Sequence, residues 1–162
     1  MHKIGLTGNL GCDLASALQT FKSRGYETID VGKLISDAFM SEDVITPAFA
    51  ECETLNVDTT MFSATRNGKL IAVEENVLNA CLRDHVMLDV WMKYIKAYVV
   101  KHAYRTILQT TCKMIVISTT LIHEFDLAWM FDDIVTVMST PDAMISYALS
   151  LPDMNAKRYK AF

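Results

Sequence analysis

The chain has 162 residues, a net charge of −4 and a hydrophobic fraction of 51%, with ten Met and a mean hydropathy of +0.21. That is the size of one domain spanning residues 1–162 with a genuine core, and its apolar runs are broken by charge well short of the roughly 20 residues that cross a bilayer. With no leader-like succession at the N-terminus and too little positive charge for a general nucleic-acid footprint, a cytoplasmic protein without membrane contact is expected.

The first predicted strand, residues 3–7, runs into the outline of a phosphate-binding loop: residues 4–16 read Ile-Gly-Leu-Thr-Gly-Asn-Leu-Gly-Cys-Asp-Leu-Ala-Ser. The working pattern, G-x-x-x-x-G-K-[ST], cradles phosphates in backbone N–H groups, reaches them with Lys and holds Mg²⁺ by a hydroxyl. Counted from Gly8, with Gly11 kept inside the loop, the second Gly position is Asp13, the Lys position Leu14 and the hydroxyl position Ala15. A carboxylate stands where the nucleotide's charge would go, no ammonium answers it, and the metal ligand is a methyl group. The loop therefore reads as a dead nucleotide site, with nucleotide binding weak or absent, no cofactor and no catalytic residue.

A first helix is expected over residues 13–23, with Leu14, Leu18 and Phe21 at helical spacing and Gly25 closing it. Asp is among the best N-cap residues and complements the helix dipole, so Asp13 is expected to substitute for the missing anion. A strand follows at 28–31 and a helix at 33–40, while 47–67 receives no element. A long helix is expected over 87–110, with Trp91, Ile95, Tyr98, Val99 and Ile107 towards the core and His102 as a hydrogen-bonded structural histidine. Further strands at 114–118 and 134–138 precede a helix over 142–151 opened by Pro141. Strands separated by helices imply a parallel sheet with right-handed crossovers.

The stretch 90–123 carries Lys93, Lys96, Lys101, Arg105 and Lys113 without an acid, whereas 42–58 and 124–133 are acidic. A solvated helix face is the first reading of the basic stretch, and an anionic partner surface the second. Cys12, Cys52, Cys81 and Cys112 show no paired spacing, so buried reduced thiols are expected. Cys12, Asp30, His123 and Glu124 suit zinc by type, but their spacing is not diagnostic and no metal is expected.

Four stretches, taken in order, carry a family likeness. Residues 4–16 parallel I-G-L-T-G-G-I-G-S-G-K-S-T, and Glu-Thr-Ile-Asp-Val-Gly at 27–32 parallels V-I-D-A-D. Ile-Ser-Thr-Thr-Leu-Ile-His-Glu at 117–124 parallels L-D-[VI]-P-L-L-F-E, and Asp-Ile-Val-Thr-Val-Met-Ser-Thr-Pro-Asp at 133–142 parallels D-x-V-x-V-x-x-[PS]-x-E. These motifs resemble dephospho-coenzyme A kinase, the P-loop enzyme that phosphorylates the ribose 3′-hydroxyl of dephospho-CoA with ATP. The resemblance implies a P-loop NTPase-like three-layer α/β sandwich with a short parallel sheet in strand order 2-3-1-4. Because the chain ends at Phe162, ahead of the family's final strand and helix, the resemblance also implies a sheet truncated at the C-terminus.

Carried over one position at a time, the family's functional groups are missing. The second Asp of the D-A-D segment, the family's general base, is Gly32 here, while Asp30 matches the first. The His-Pro pair of the long helix is Lys96-Ala97, the Arg after Gly68-Lys-Leu-Ile is near Ala72, and the Pro and Phe of the third motif are Thr120 and His123. The lid Arg, which would neutralise charge on the transferred phosphoryl group, is Tyr147. Lys157, Arg158 and Lys160 in the tail do not replace a base, a phosphate Lys and a metal hydroxyl together.

The expectation is a catalytically inactive pseudoenzyme of the dephospho-CoA kinase type, acting as a structural or binding component of a larger assembly. The alternative is a divergent active dephospho-CoA kinase; a third reading keeps ligand binding through the N–H groups between Gly8 and Gly11, against the charge of Asp13. Protein partners are expected, with a ribonucleoprotein facing the basic stretch or a homodimer through the edge strand 134–138 and the tail 155–162.

Overall fold

In the computed structural model, residues 1–9, 11–120, 122 and 126–150 are described. Along the chain run β1 (His2–Gly8), α1 (Leu14–Ser23), β2 (Glu27–Asp30), α2 (Val31–Ala38), α3 (Glu42–Thr54), β3 (Ser63–Arg66), β4 (Lys69–Ala72), α4 (Glu74–Cys81), α5 (His85–Gln109), β5 (Met114–Ser118), β6 (Asp133–Val137) and α6 (Pro141–Ser150). They form two compact units, one made from the two ends of the chain, Met1–Asp30 with Gln109–Phe162, and the other from Val31–Leu108.

The first unit is a four-stranded parallel sheet in the order β2-β5-β1-β6, which is the second, third, first and fourth of its strands, as expected. β5 is the run Met-Ile-Val-Ile-Ser, buried from Ile115 onward. Such an unbroken apolar run is what an inner parallel strand requires, since both its faces are covered. Leu6 of β1, Val116 of β5 and Leu18 of α1 make a buried cluster, joined by the half-buried Ile4, Leu14, Ala17, Phe21, Tyr26 and Val137. Each fully buried aliphatic side chain contributes about 1.5–3 kcal/mol, and the helical spacing of Leu14, Leu18 and Phe21 is what aims α1 at the sheet. Parallel register puts the C-terminal ends of all four strands, at Gly8, Asp30, Ser118 and Val137, along one edge. At the opposite edge Asp132 accepts the Lys3 N–H at 2.7 Å and His2 Nε2 meets Asp133 Oδ2 at 2.7 Å.

The second unit departs from expectation in three places, one of them α4 (Glu74–Cys81), where the sequence reading assigned no element. Residues 47–67, given no element, contain most of α3, with Pro47 inside the helix. Pro in a helix interior costs about 3 kcal/mol, but Val44, Ile45, Ala48, Phe49 and Cys52 recur on one face and are all buried, and five such side chains outweigh that cost. The hairpin β3–β4 was likewise not expected. Asn67 and Gly68 both take positive φ, 52° and 75°, the geometry of the two-residue hairpin turn that Asn-Gly favours. Element boundaries move by one or two residues along the chain, as where β2 ends at Asp30 and α2 starts at Val31, both beginning earlier than the 28–31 and 33–40 read from sequence.

On α5 Trp91, Ile95 and Val99 are buried as expected, while Tyr98 and Ile107 are half-buried. Trp91 stacks on Phe39 at 5.7 Å and meets Phe49 edge-on at 5.8 Å. His102 stacks on the Tyr98 ring, centroids 4.1 Å apart. Two of the basic residues on α5 are not merely solvated: Lys93 pairs with Glu51 at 2.6 Å and Lys101 with Asp43 at 2.9 Å, both acids on α3. No helix among the described residues is long and apolar enough to cross a membrane.

Candidate functional site

The loop between β1 and α1 is the place where this architecture receives ligands, at the carboxyl ends of the strands and the N-terminus of a helix. Two of its described backbone donors bond within the loop itself. Cys12 N–H donates to Asn9 O at 3.0 Å and Leu14 N–H to Cys12 O at 2.9 Å. Asp13 is the N-cap of α1, and its Oδ1 accepts the Ser16 N–H at 2.9 Å. The expected capping role is met, and the carboxylate occupies one of the free N–H groups of the first helical turn. The Ser16 hydroxyl and N–H hold the Asp13 carboxyl below its ordinary value, with a smaller contribution from the Tyr147 hydroxyl. Tyr147 is pushed up in turn, by burial first and then by the Asp13 charge.

Tyr147 therefore sits against the loop, and α6 comes with it. Gly11 has φ +91°, and a Cβ there would collide with the carbonyl of Met144 on α6, whose carbonyl carbon would lie 2.8 Å away. A Cβ on Gly8 would lie 2.8 Å from the Val137 carbonyl oxygen at the end of β6. Both glycines are thus used to bring backbone against backbone. Leu14 is half-buried in the sheet-facing cluster, and Ala15 is exposed on the first turn of α1.

With that geometry in view, the likeness to known proteins can be weighed. No protein-family model matches the chain, and no curated protein is similar to it in sequence. Among solved structures it is similar to TT1252 from Thermus thermophilus, with a TM-score of 0.76 and 15% sequence identity over 99% of this chain and 77% of that one. The shared fold is α/β, built on a four-stranded parallel sheet. At that identity the likeness carries the architecture alone.

The remaining predicted positions fall as follows. Asp30 is exposed at the end of β2, and Gly32 is the second residue of α2, exposed and without a side chain. Ala72 is buried at the end of β4, its N–H bonded to Phe39 O at 2.8 Å. His123, Glu124 and the tail 151–162, including Lys157, Arg158 and Lys160, lie outside the described residues. Among the described residues no group of three His, Cys, Asp or Glu side chains is placed to hold a metal ion. Burial raises the Cys52 thiol and pushes Cys81 up to about 11, which keeps both protonated and unreactive at neutral pH. The feature sequence reasoning missed is the seat of α6 on Gly11. Its one trace in the sequence is Gly11 itself, which takes positive φ in the turn closed by the Cys12 N–H on Asn9 O.

Proposed function

We propose that this chain is a dephospho-CoA-kinase-like pseudoenzyme, without phosphoryl-transfer activity, that serves as a structural or binding component of a larger cytoplasmic assembly. One observation carries the reading: the phosphate-binding loop is closed by the chain itself. The Asp13 carboxylate holds the Ser16 N–H, the Cys12 and Leu14 N–H groups bond within the loop, and α6 rests on Gly11. An incoming triphosphate would meet a negative charge and find the Cys12, Leu14 and Ser16 N–H groups already bonded, with Leu14 and Ala15 where an ammonium and a metal hydroxyl are needed. The kinase part of the reading rests on the ordered motifs, and the inactive part on Gly32 and Tyr147 standing where a base and a lid cation belong. Loss of even one such electrostatic group lowers rates by orders of magnitude.

Titration calorimetry with ATP and with Mg²⁺-ATP tests the proposal. No binding heat is expected at ligand concentrations around 1 mM, near −4 kcal/mol, and no ATP-dependent phosphorylation of dephospho-CoA. A micromolar isotherm or measurable 3′-phosphorylation would favour the divergent-kinase alternative.

A further inference from the structure

β6 ends the sheet, pairing with β1 and with no second strand among the described residues. Its side chains show it: Ile134 and Val135, which alternate to opposite faces, are 43% and 41% exposed, and Met138 just beyond is 87% exposed. Apart from Met1, every large exposed hydrophobic residue described in the first unit comes from residues 129–149. Folded proteins guard such edges with charge, Pro or a bulge. Residues 134–139 read Ile-Val-Thr-Val-Met-Ser and carry none of these. The charge at the start of the strand, Asp133, and the Asp132 before it are exposed and bonded to the neighbouring strand, Asp132 to the Lys3 N–H and Asp133 to His2.

We infer that this edge is where two copies of the chain meet, β6 against β6 and antiparallel, about a two-fold axis at Thr136. The strand matches itself in that register. Ile134 faces Met138, Val135 faces Val137 and Thr136 faces its own counterpart, while Asp133 faces Ser139 and Asp132 faces Thr140. Apolar meets apolar, hydroxyl meets hydroxyl and no carboxylate faces another, the pairing that stabilises adjacent strands. Shifting the axis to Val135 would set the Asp133 charge against Val137. An isologous contact of this kind closes after two copies and leaves no further edge to extend. The inference names a partner for the assembly component proposed above and depends on that reading only for its purpose.

Light scattering and sedimentation of the whole chain from about 1 to 100 µM test it. The wild type is expected at dimer mass. Thr136→Lys, which sets two ammonium groups across the axis, is expected to weaken the dimer by about tenfold or more, whereas Thr136→Val keeps it. If circular dichroism finds Thr136→Lys unfolded, Met138→Lys, at a highly exposed position opposite Ile134, takes its place. A wild-type monomer throughout overturns the inference and leaves the edge to a foreign strand, and a dimer indifferent to both Lys variants overturns it by placing the contact elsewhere. A dimer that binds ATP tightly would sink the functional reading alone, and a nucleotide-inert monomer would sink this one alone.

Discussion

The Asp13 carboxylate bonds the Ser16 N–H and hydroxyl and faces Tyr147, and all three contacts hold its pKa below the ordinary 3.8. A carboxyl depressed on folding contributes stability that is present above the unfolded value and lost as pH falls through the folded one. Asp13→Ala is expected to cost about 1 kcal/mol at pH 7. Asp13→Asn, an equally good cap without charge, should cost less, and its deficit should shrink between pH 5 and pH 2 as the wild-type carboxylate protonates. Urea unfolding of the three proteins across that range checks both statements; an Asn variant whose deficit persists at low pH would show that the charge contributes nothing. Asp13 was legible from sequence because capping is local. Tyr147 was not, because what brings it to Asp13 is the packing of α6, for which residue spacing leaves no mark.

Between elements, the decisive contact is α6 on the loop. Gly11→Ala forces a β-carbon into positive-φ backbone and into the Met144 carbonyl, so the loss is expected to be about 2–4 kcal/mol, measured as a lowered urea midpoint. A variant as stable as the wild type would mean that α6 stands off the loop. The sheet was readable in detail because its strands are short Ile/Val runs whose alternation with helices leaves few topologies. Besides α4, two elements escaped for opposite reasons. Pro47 hid α3 behind a local signal that the buried stripe from Val44 to Cys52 overrides, and the β3–β4 hairpin went unassigned although Asn67-Gly68 is a strong local turn signal, since its strands Ser63–Arg66 and Lys69–Ala72 are short and lack apolar alternation.

Across the whole molecule, the opposite charges of 42–58 and 90–123 were visible, but not that Glu51 finds Lys93 and Asp43 finds Lys101. Exposed pairs of this type are worth about 0–1 kcal/mol each, so they align α3 with α5 while the aromatic contacts of Trp91 supply the larger burial. The same contrast separates the two units: one was drawn by strand periodicity, the other by contacts between residues distant in sequence. The closed loop has a consequence at this scale. A nucleotide-binding protein gains RT ln(1 + [L]/Kd) of stability from its ligand, about 2.7 kcal/mol at a hundredfold excess over Kd, and so its folded population follows the supply of that ligand. Here the anion is a side chain tethered one residue ahead of the helix it caps, and its local concentration cannot be diluted. The melting temperature is expected to stay unchanged in millimolar ATP, and a rise in thermal-shift measurements would contradict this. On the function proposed above, a chain that carries the anion in its own covalent structure keeps its fold independent of cellular energy charge, which suits a fixed part and not a sensor.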